Sequence, residues 1–182
     1  LTFSGDLDQI GSFDVNNSNI TIENGIIMAS GSCSNVIGPN DIGSSTTGGG
    51  NFGVNDADLD LLSTFATNDA AVLEFDFIPS GDSLSFNYSF GSDEYNEYVC
   101  GSVNDAFGFF LSGPGINGIY SNNAINLAII PDTEDTPVTI NSVNNGNVGS
   151  SGTANNCAKV DPNWMNNTAF YIENSNFSII PF

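Results

Sequence analysis

The sequence predicts an all-β fold, an antiparallel β-sandwich of jelly-roll type with long Gly-, Asn- and Ser-rich loops and at most one short helix. About ten short apolar or alternating runs are separated by turn-forming residues, helical periodicity is nearly absent, and no repeat of fixed length occurs. The chain has 182 residues, of which 40% are apolar, so it is long enough to bury a core. We therefore expect one domain over residues 1–182.

The N-terminal segment is predicted to form short strands at Ile10 to Phe13, Ile20 to Ile22 and Ile26 to Ala29. Asn24-Gly25 lies between the last two runs, and both residues accept the positive φ of a two-residue turn. A tight hairpin is therefore expected there. Residues 31–54 are rich in Gly and Ser, which is typical of a surface loop.

A stretch beginning at Asp56 is the only predicted helix, because an acidic first turn suits the positive end of a helix dipole. Its three aspartates also have the D-x-D-x-D spacing of a calcium loop. However, Leu61 and Thr67 stand where an EF-hand needs Gly and a bidentate Glu, so no EF-hand is expected. The side chains predicted to share the apolar helix face are Leu59, Leu62 and Phe65.

The clearest strands lie in the middle of the chain. Val72 to Ile78 and Leu84 to Phe90 alternate between apolar and polar residues, which predicts a hairpin of half-buried strands. Phe107 to Leu111 is continuously apolar, as expected of a strand covered on both faces. Further strands are predicted at Ala124 to Ile130, Pro137 to Ile140, Ala169 to Ile172 and Phe177 to Ile180, with Asn141 to Asn163 as a long loop.

The charge balance excludes some functions. There are 21 acidic residues against one basic residue, Lys159, and the net charge is −20. Nucleic-acid binding is excluded, because phosphate neutralisation needs several basic side chains. The absence of His removes the commonest general base and transition-metal ligand. No apolar run approaches the roughly 20 residues that cross a bilayer, so no membrane-spanning segment is expected.

The loop between the second and third central strands concentrates carboxylates. Since basic residues are almost absent, carboxylates that converge must be solvated, protonated or bound to a cation. Ca²⁺ takes about six to eight oxygen ligands, and carboxylates, an amide and main-chain carbonyls are the right types. We predict a structural calcium site, with a solvated acidic loop as the alternative. The candidate ligands are Asp93, Glu94, Glu97, Asn104 and Asp105, with Asp69 as a ligand from outside the loop.

Three cysteines, Cys33, Cys100 and Cys157, predict one disulfide and one remaining thiol. We favour a Cys100–Cys157 bond, because Cys100 ends the acidic loop and Cys157 sits in an Asn- and Gly-rich segment with no other means of being held. The sequence leaves all three pairings open. The alternative is that all three are small buried residues.

Residues 85–118, SFNYSFGSDEYNEYVCGSVNDAFGFFLSGPGING, resemble the choice-of-anchor L domain of bacterial surface and secreted proteins. The flanking stretches FSGDLDQIGSFD and NAINLAIIP agree with this resemblance. It implies an extracellular β-rich module with varied C-terminal anchors, exported through a signal peptide and often by type IX secretion, without an established catalytic role. The family's domain continues into further strands beyond the point where this chain stops at Phe182.

We therefore expect a non-enzymatic surface adhesion or structural module, stiffened by Ca²⁺ and one disulfide. Its apolar terminal strand leaves two interpretations open: a subunit that pairs with other chains and assembles into a surface fibre by strand exchange, or a truncated or divergent end of the domain. One alternative is a lectin-like module that binds surface glycans. A less favoured alternative is a glycoside hydrolase with Glu94 and Glu97 as its paired carboxylates. The aromatic side chains considered for sugar stacking are Tyr95, Tyr98, Tyr120 and Trp164.

Overall fold

The structure, a computed structural model, describes residues 1–14, 22–37 and 54–172. These residues are β-rich, with short antiparallel strand pairs and a few helices, as predicted at that level. They do not establish a sandwich or a jelly roll. The described residues group into two compact units: residues 1–14, 22–37, 54 and 68–91 form the first, and residues 55–67 and 92–172 form the second. The expectation of a single domain stays a prediction.

The first unit contains two antiparallel strand pairs. Strand β1 (Thr2–Ser4) pairs with β4 (Val72–Glu74), and β2 (Ile10–Asp14) pairs with β3 (Asn24–Met28). The fully buried Gln9 links the segments of this unit, because its amide donates to the carbonyls of Ser30 (3.1 Å) and Asp69 (2.7 Å). Short 3-10 helices occur in this unit at Leu7–Gln9 and Cys33–Ile37.

The predicted turn at Asn24-Gly25 is wrong. Both residues lie inside β3, where Asn24 is opposite Asp14 and Gly25 is opposite Phe13. The ring of Phe13 covers Gly25, and a Cβ at that position would come within 3.1 Å of it. The glycine therefore makes room for a cross-strand aromatic ring. Predicted features at residues 15–21, 38–53 and 173–182, including the terminal strand, lie outside the described residues.

The predicted hairpin in the middle of the chain is much reduced. Strand β4 ends at Glu74, because β1 offers it only a three-residue partner. Phe75 and Phe77 follow with 51% and 44% of their surface exposed, and their rings contact each other at 6.2 Å. Residues 84–90 keep an alternation of burial, but no strand is assigned to them within the described ranges.

In the second unit the predicted strand at Phe107 to Leu111 is divided. Strand β5 (Ala106–Phe107) pairs with β8 (Val138–Thr139), and β6 (Phe110–Leu111) pairs with β7 (Ile125–Asn126). Between them the backbone N–H of Phe109 donates to the side-chain carbonyl of Asn126 in β7 (3.0 Å). The apolar run therefore contributes to two different strand pairs.

Two short α-helices are present where at most one was expected. Helix α1 (Ala57–Ser63) confirms the first prediction: the Asp56 carboxylate accepts from the N–H groups of Asp58 (3.0 Å) and Leu59 (2.9 Å), and Leu62 is 2% exposed. Helix α2 (Ala154–Val160) lies in the predicted loop, because Cys157 anchors a helical turn that propensity alone does not favour. Other 3-10 helices occupy Ser121–Asn123 and Trp164–Phe170, the latter overlapping the strand predicted at Ala169 to Ile172.

The second unit has a small core around the Cys100–Cys157 disulfide, formed with Val99, Trp164 and the partly buried ring of Tyr95. Across the described ranges, the structure contains no helix long and apolar enough to cross a membrane.

Candidate functional site

The acidic loop, defined here as residues 92–105, is closed by a hydrogen bond between its ends. The Ser92 hydroxyl donates to the Asp105 carboxylate (2.7 Å) and accepts from the backbone N–H of Glu94 (3.1 Å). Asp105 immediately precedes β5, so the strand pair holds one end of the loop. This arrangement brings carboxylates from both ends of the loop towards each other.

The carboxylates of the loop interact electrostatically. Burial raises the pKa of Glu94 from its ordinary value of 4.5 to about 7, and the charges of Asp105, Asp93 and Glu97 add to the rise. Burial also raises the pKa of Asp105; the Ser92 hydrogen bond opposes this rise and the charge of Asp93 adds to it. Asp93, Glu94, Glu97 and Asp105 therefore form one coupled group of carboxylates. That they bind a calcium ion stays a prediction.

As they stand, these side chains are not arranged as a ready ligand set. Among residues 1–14, 22–37 and 54–172, no three Asp, Glu or Cys side chains are placed to hold a metal ion. Asp69 belongs to the first unit, where its carbonyl accepts from Gln9. Glu97 is exposed.

Asn104 has a different environment from the one predicted. Its NH₂ donates to the Ser63 carbonyl (2.7 Å), and its carboxamide oxygen accepts from the backbone N–H of Asn141 (3.0 Å). Both polar atoms of this buried side chain are thus bonded to the main chain. The structure assigns Asn104 to the framework beneath the loop, so we do not retain it as a calcium ligand.

Asn104 is one of several buried asparagines that we call the amide framework. The Asn141 side chain accepts from the N–H of Cys100 (2.7 Å) and donates to the carbonyl of Gly101 (3.2 Å), which fixes the C-terminal part of the acidic loop. Asn167 donates to the Ser142 carbonyl (2.9 Å) and to the Asp161 carboxylate (2.8 Å). The framework consists of Asn104, Asn141, Asn144 and Asn167.

The Asn-rich segment, defined here as residues 141–163, packs its backbone directly on the acidic loop. Gly149 and Ser151 donate backbone hydrogen bonds to the carbonyls of Val99 (2.9 Å) and Glu97 (3.0 Å). A Cβ at Gly149 would lie 2.4 Å from the carbonyl oxygens of Asn96 and Glu97, so only glycine allows this approach. The long loop predicted at Asn141 to Asn163 is thus interrupted by α2 and is partly buried. High Asn, Gly and Ser content gave no signal that five of its residues are buried, namely Asn141, Ser142, Asn144, Cys157 and Asp161.

The disulfide joins Cys100 to Cys157, the pair that we favoured from the sequence. It ties the C-terminal part of the acidic loop to α2, fifty-seven residues further along the chain. Cys33 is a free cysteine of the first unit; burial, with a smaller contribution from Asp8, raises the pKa of its thiol.

A sequence profile of the choice-of-anchor L domain matches residues 2–180, nearly the whole chain. The chain belongs to the choice-of-anchor L domain family. Membership indicates a bacterial cell-surface or secreted protein. Comparison with curated proteins and with solved structures gives no significant match.

The aromatic residues considered for sugar stacking are mostly packed inside this choice-of-anchor L domain. Trp164 is 4% exposed in the core, and the Tyr95 hydroxyl donates to the carbonyl of Val143 (2.5 Å). The ring of Tyr120 packs against Phe110 at 4.8 Å. These three rings therefore pack against other protein groups and do not form an open surface on which a sugar ring could stack.

The described residues form surface clefts that are candidate ligand sites of the choice-of-anchor L domain. One, of about 600 Å³ in the first unit, is lined by Ile22, Glu23, Asn24, Phe86, Asn87 and Tyr88. Another, of about 380 Å³ in the second unit, lies between the acidic loop and the Asn-rich segment.

Proposed function

We propose that this choice-of-anchor L domain is a non-enzymatic structural or adhesion module of the bacterial surface, whose acidic loop binds Ca²⁺. The observation that carries the proposal is the coupled group of four carboxylates on the loop. Holding several negative charges together costs about 1 kcal/mol or more for each close pair even in water-like surroundings. A divalent cation would remove that cost.

Basic side chains do not supply the compensation. Lys159 is the only one in the chain, and its ammonium lies 6.0 Å from the centre of the Phe65 ring. We therefore assign Asp93, Glu94 and Asp105 as the carboxylate ligands, with Glu97 and main-chain carbonyls completing the set.

The scaffold supports a structural role. A disulfide, backbone pairing and the amide framework all hold the acidic loop from below, which restricts its motion around an ion. Such restriction is useful to a module that must keep its shape outside the cell, where calcium sites of about 10⁻⁴–10⁻³ M affinity are filled. Assembly into a fibre by strand exchange remains part of the hypothesis, to be tested by electron microscopy of the native protein.

Thermal unfolding tests the calcium site. The fluorescence of Trp164, the only tryptophan, reports on the second unit, since its ring is buried beside the disulfide. We expect millimolar CaCl₂ to raise the melting temperature by about 3 °C or more over NaCl of equal ionic strength, and EDTA to reverse the rise.

Two variants distinguish a site from general screening. The double variant Glu94→Gln/Asp105→Asn should lose the calcium-dependent rise, whereas Asp132→Asn, at an exposed position of the same unit, should keep it. Equal melting temperatures of the wild-type chain in CaCl₂, matched NaCl and EDTA would refute calcium binding.

A further inference from the structure

We propose that the cleft between the acidic loop and the Asn-rich segment binds a neutral saccharide. The Asn-lined cleft, as we name it, is lined by Tyr95, Asn96, Glu97, Asn145, Asn147, Val148, Gly149 and Ser150. This inference goes beyond the proposed calcium site; the two share Glu97, and binding measured in EDTA tests the saccharide site without calcium.

The size and chemistry of the cleft fit a small sugar. Its volume of about 380 Å³ is at the lower end of the ~300–1,000 Å³ typical of small-ligand sites, which suits one or two sugar rings. Three of its side chains, Asn96, Asn145 and Asn147, are carboxamides, each with an NH₂ donor and a carbonyl acceptor, and Glu97 adds a carboxylate acceptor. Planar groups of this kind pair with neighbouring hydroxyls, which both donate and accept.

The electrostatics exclude an anionic ligand. The cleft lining contains no basic side chain, and Glu97 interacts with Glu94 in a chain of net charge −20. A sulfated, phosphorylated or carboxylated sugar would be repelled and would find no cation to pair with. An uncharged, hydroxyl-rich ligand is not penalised in this way.

The walls of the cleft are held in place before any ligand arrives. Gly149 donates its backbone N–H to the carbonyl of Val99 in the acidic loop (2.9 Å). The Asn145 side chain accepts from the N–H of Asn147 (3.0 Å), which shapes the turn that carries both residues. The Tyr171 hydroxyl donates to the carboxamide oxygen of Asn96 (3.0 Å) and so sets which way that amide faces. Pre-organisation of this kind reduces the ordering cost of weak sugar binding.

The test is a glycan microarray that carries neutral and acidic glycans, probed with the full chain in EDTA and again in CaCl₂. Multivalent display makes weak binding visible. We expect hits among neutral glycans in both buffers. The best neutral hit is then titrated as a soluble mono- or disaccharide against the wild-type chain and three variants by calorimetry.

Asn147→Ala and Glu97→Gln should each weaken binding at least tenfold, because each changes a hydrogen-bonding group in the cleft lining. Both side chains are exposed, so neither change should disturb the core. Asn87→Ala, in the cleft of the first unit, should leave the affinity unchanged. Near-wild-type Trp164 fluorescence and melting temperature show that each variant is folded.

Any one of four results would overturn the proposal: no neutral hit in either buffer, hits confined to acidic glycans, undiminished binding by both Asn147→Ala and Glu97→Gln, or loss of binding in Asn87→Ala. A silent array combined with a calcium-dependent melting temperature would remove the saccharide site and leave the calcium site standing. Neutral hits combined with a melting temperature that calcium does not change would remove the calcium site and leave the saccharide site standing.

Discussion

Asparagine side chains occupy fully or nearly fully buried positions in the second unit, where most proteins place apolar residues. A buried amide is tolerated only if its donors and acceptors are bonded, because each unsatisfied group costs about 1–3 kcal/mol. Asn141 meets this condition, since both of its polar side-chain atoms bond to the backbone around the disulfide. The amide framework therefore stabilises the site by fixing the main chain.

Replacing Asn141 with Ala should lower the free energy of unfolding by about 2–4 kcal/mol, because the N–H of Cys100 and the carbonyl of Gly101 would be left buried without partners. Urea unfolding followed by Trp164 fluorescence measures the loss. The matched control is Asn155→Ala, at an exposed position of α2, which should change stability by less than about 0.5 kcal/mol. Similar losses in the two variants would contradict the framework's role.

Glu94 should make stability depend on pH when no divalent cation is present. Its folded-state pKa of about 7 exceeds the ordinary 4.5, so its stabilising contribution is complete below about pH 4.5 and is lost as the pH rises through 7. We expect the melting temperature in EDTA to rise as the pH falls from about 8 to about 5. Asp60 does not act in this window, because Thr67 lowers its pKa below the ordinary 3.8.

Glu94→Gln should remove part of this dependence and leave the part that belongs to Asp105, whose pKa is also raised by burial. At about pH 8 the variant should be more stable than the wild type by about 1 kcal/mol, a value discounted because solvent still reaches this carboxylate. That corresponds to a melting temperature higher by about 2–4 °C. At about pH 5 the two proteins should be nearly equal. A variant that is less stable at both pH values would contradict the assigned coupling.

At the scale of elements, a disulfide, a strand-like backbone contact and a short helix join the acidic loop to the Asn-rich segment. Helix α2 would not be stable alone, because it spans only seven residues and helices of that length are marginal in water. The mutual support of the three explains why a segment of poor intrinsic propensity is ordered here.

The double variant Cys100→Ser/Cys157→Ser tests this support. Removing a link that spans 57 residues of chain should cost about 2–5 kcal/mol. Hydrogen exchange should then show lost protection at the N–H groups of Gly149 and Ser151, which donate to the acidic loop. Unchanged protection there, with wild-type stability, would show that the backbone contact holds without the covalent bond. Cys33→Ser is the control, because that thiol belongs to the first unit.

A local signal predicted α1 correctly, whereas long-range contacts explain where other local signals failed. Asp56 and the apolar face beginning at Leu59 identified α1, since a helix cap is encoded within a few residues. Asn24-Gly25 misled, because its glycine is required by Phe13 on another strand. The grouping of Asp93, Glu94, Glu97 and Asp105 followed from their closeness in sequence, whereas the role of Asn104 depended on Ser63 and Asn141, which lie far from it along the chain.

For the whole molecule, the dominant property is its net charge of −20. Like charges across a surface repel one another and oppose the compact state, and salt screens them over a Debye length of about 10 Å at 0.1 M. Basic partners are nearly absent from the sequence, so this repulsion is opposed only by screening, protonation or bound cations.

The melting temperature should therefore rise by several degrees as NaCl is increased from about 0.01 M to about 0.5 M, in the absence of calcium. KCl should act equally at the same ionic strength, because screening depends on charge and concentration. A flat response would mean that the carboxylates are too well separated to repel. A difference between the two salts would indicate a site selective for one monovalent ion.

Lys159, in the last turn of α2, has a further consequence for survival outside the cell. Trypsin-like proteases cut after basic residues, and here only the bond that follows Lys159 qualifies. That bond is helical and lies two residues beyond the disulfide-linked Cys157, so in the folded chain it is poorly presented for cleavage. A chain of this composition should therefore resist trypsin-like proteases in particular, and prolonged trypsin treatment should leave it whole on a gel.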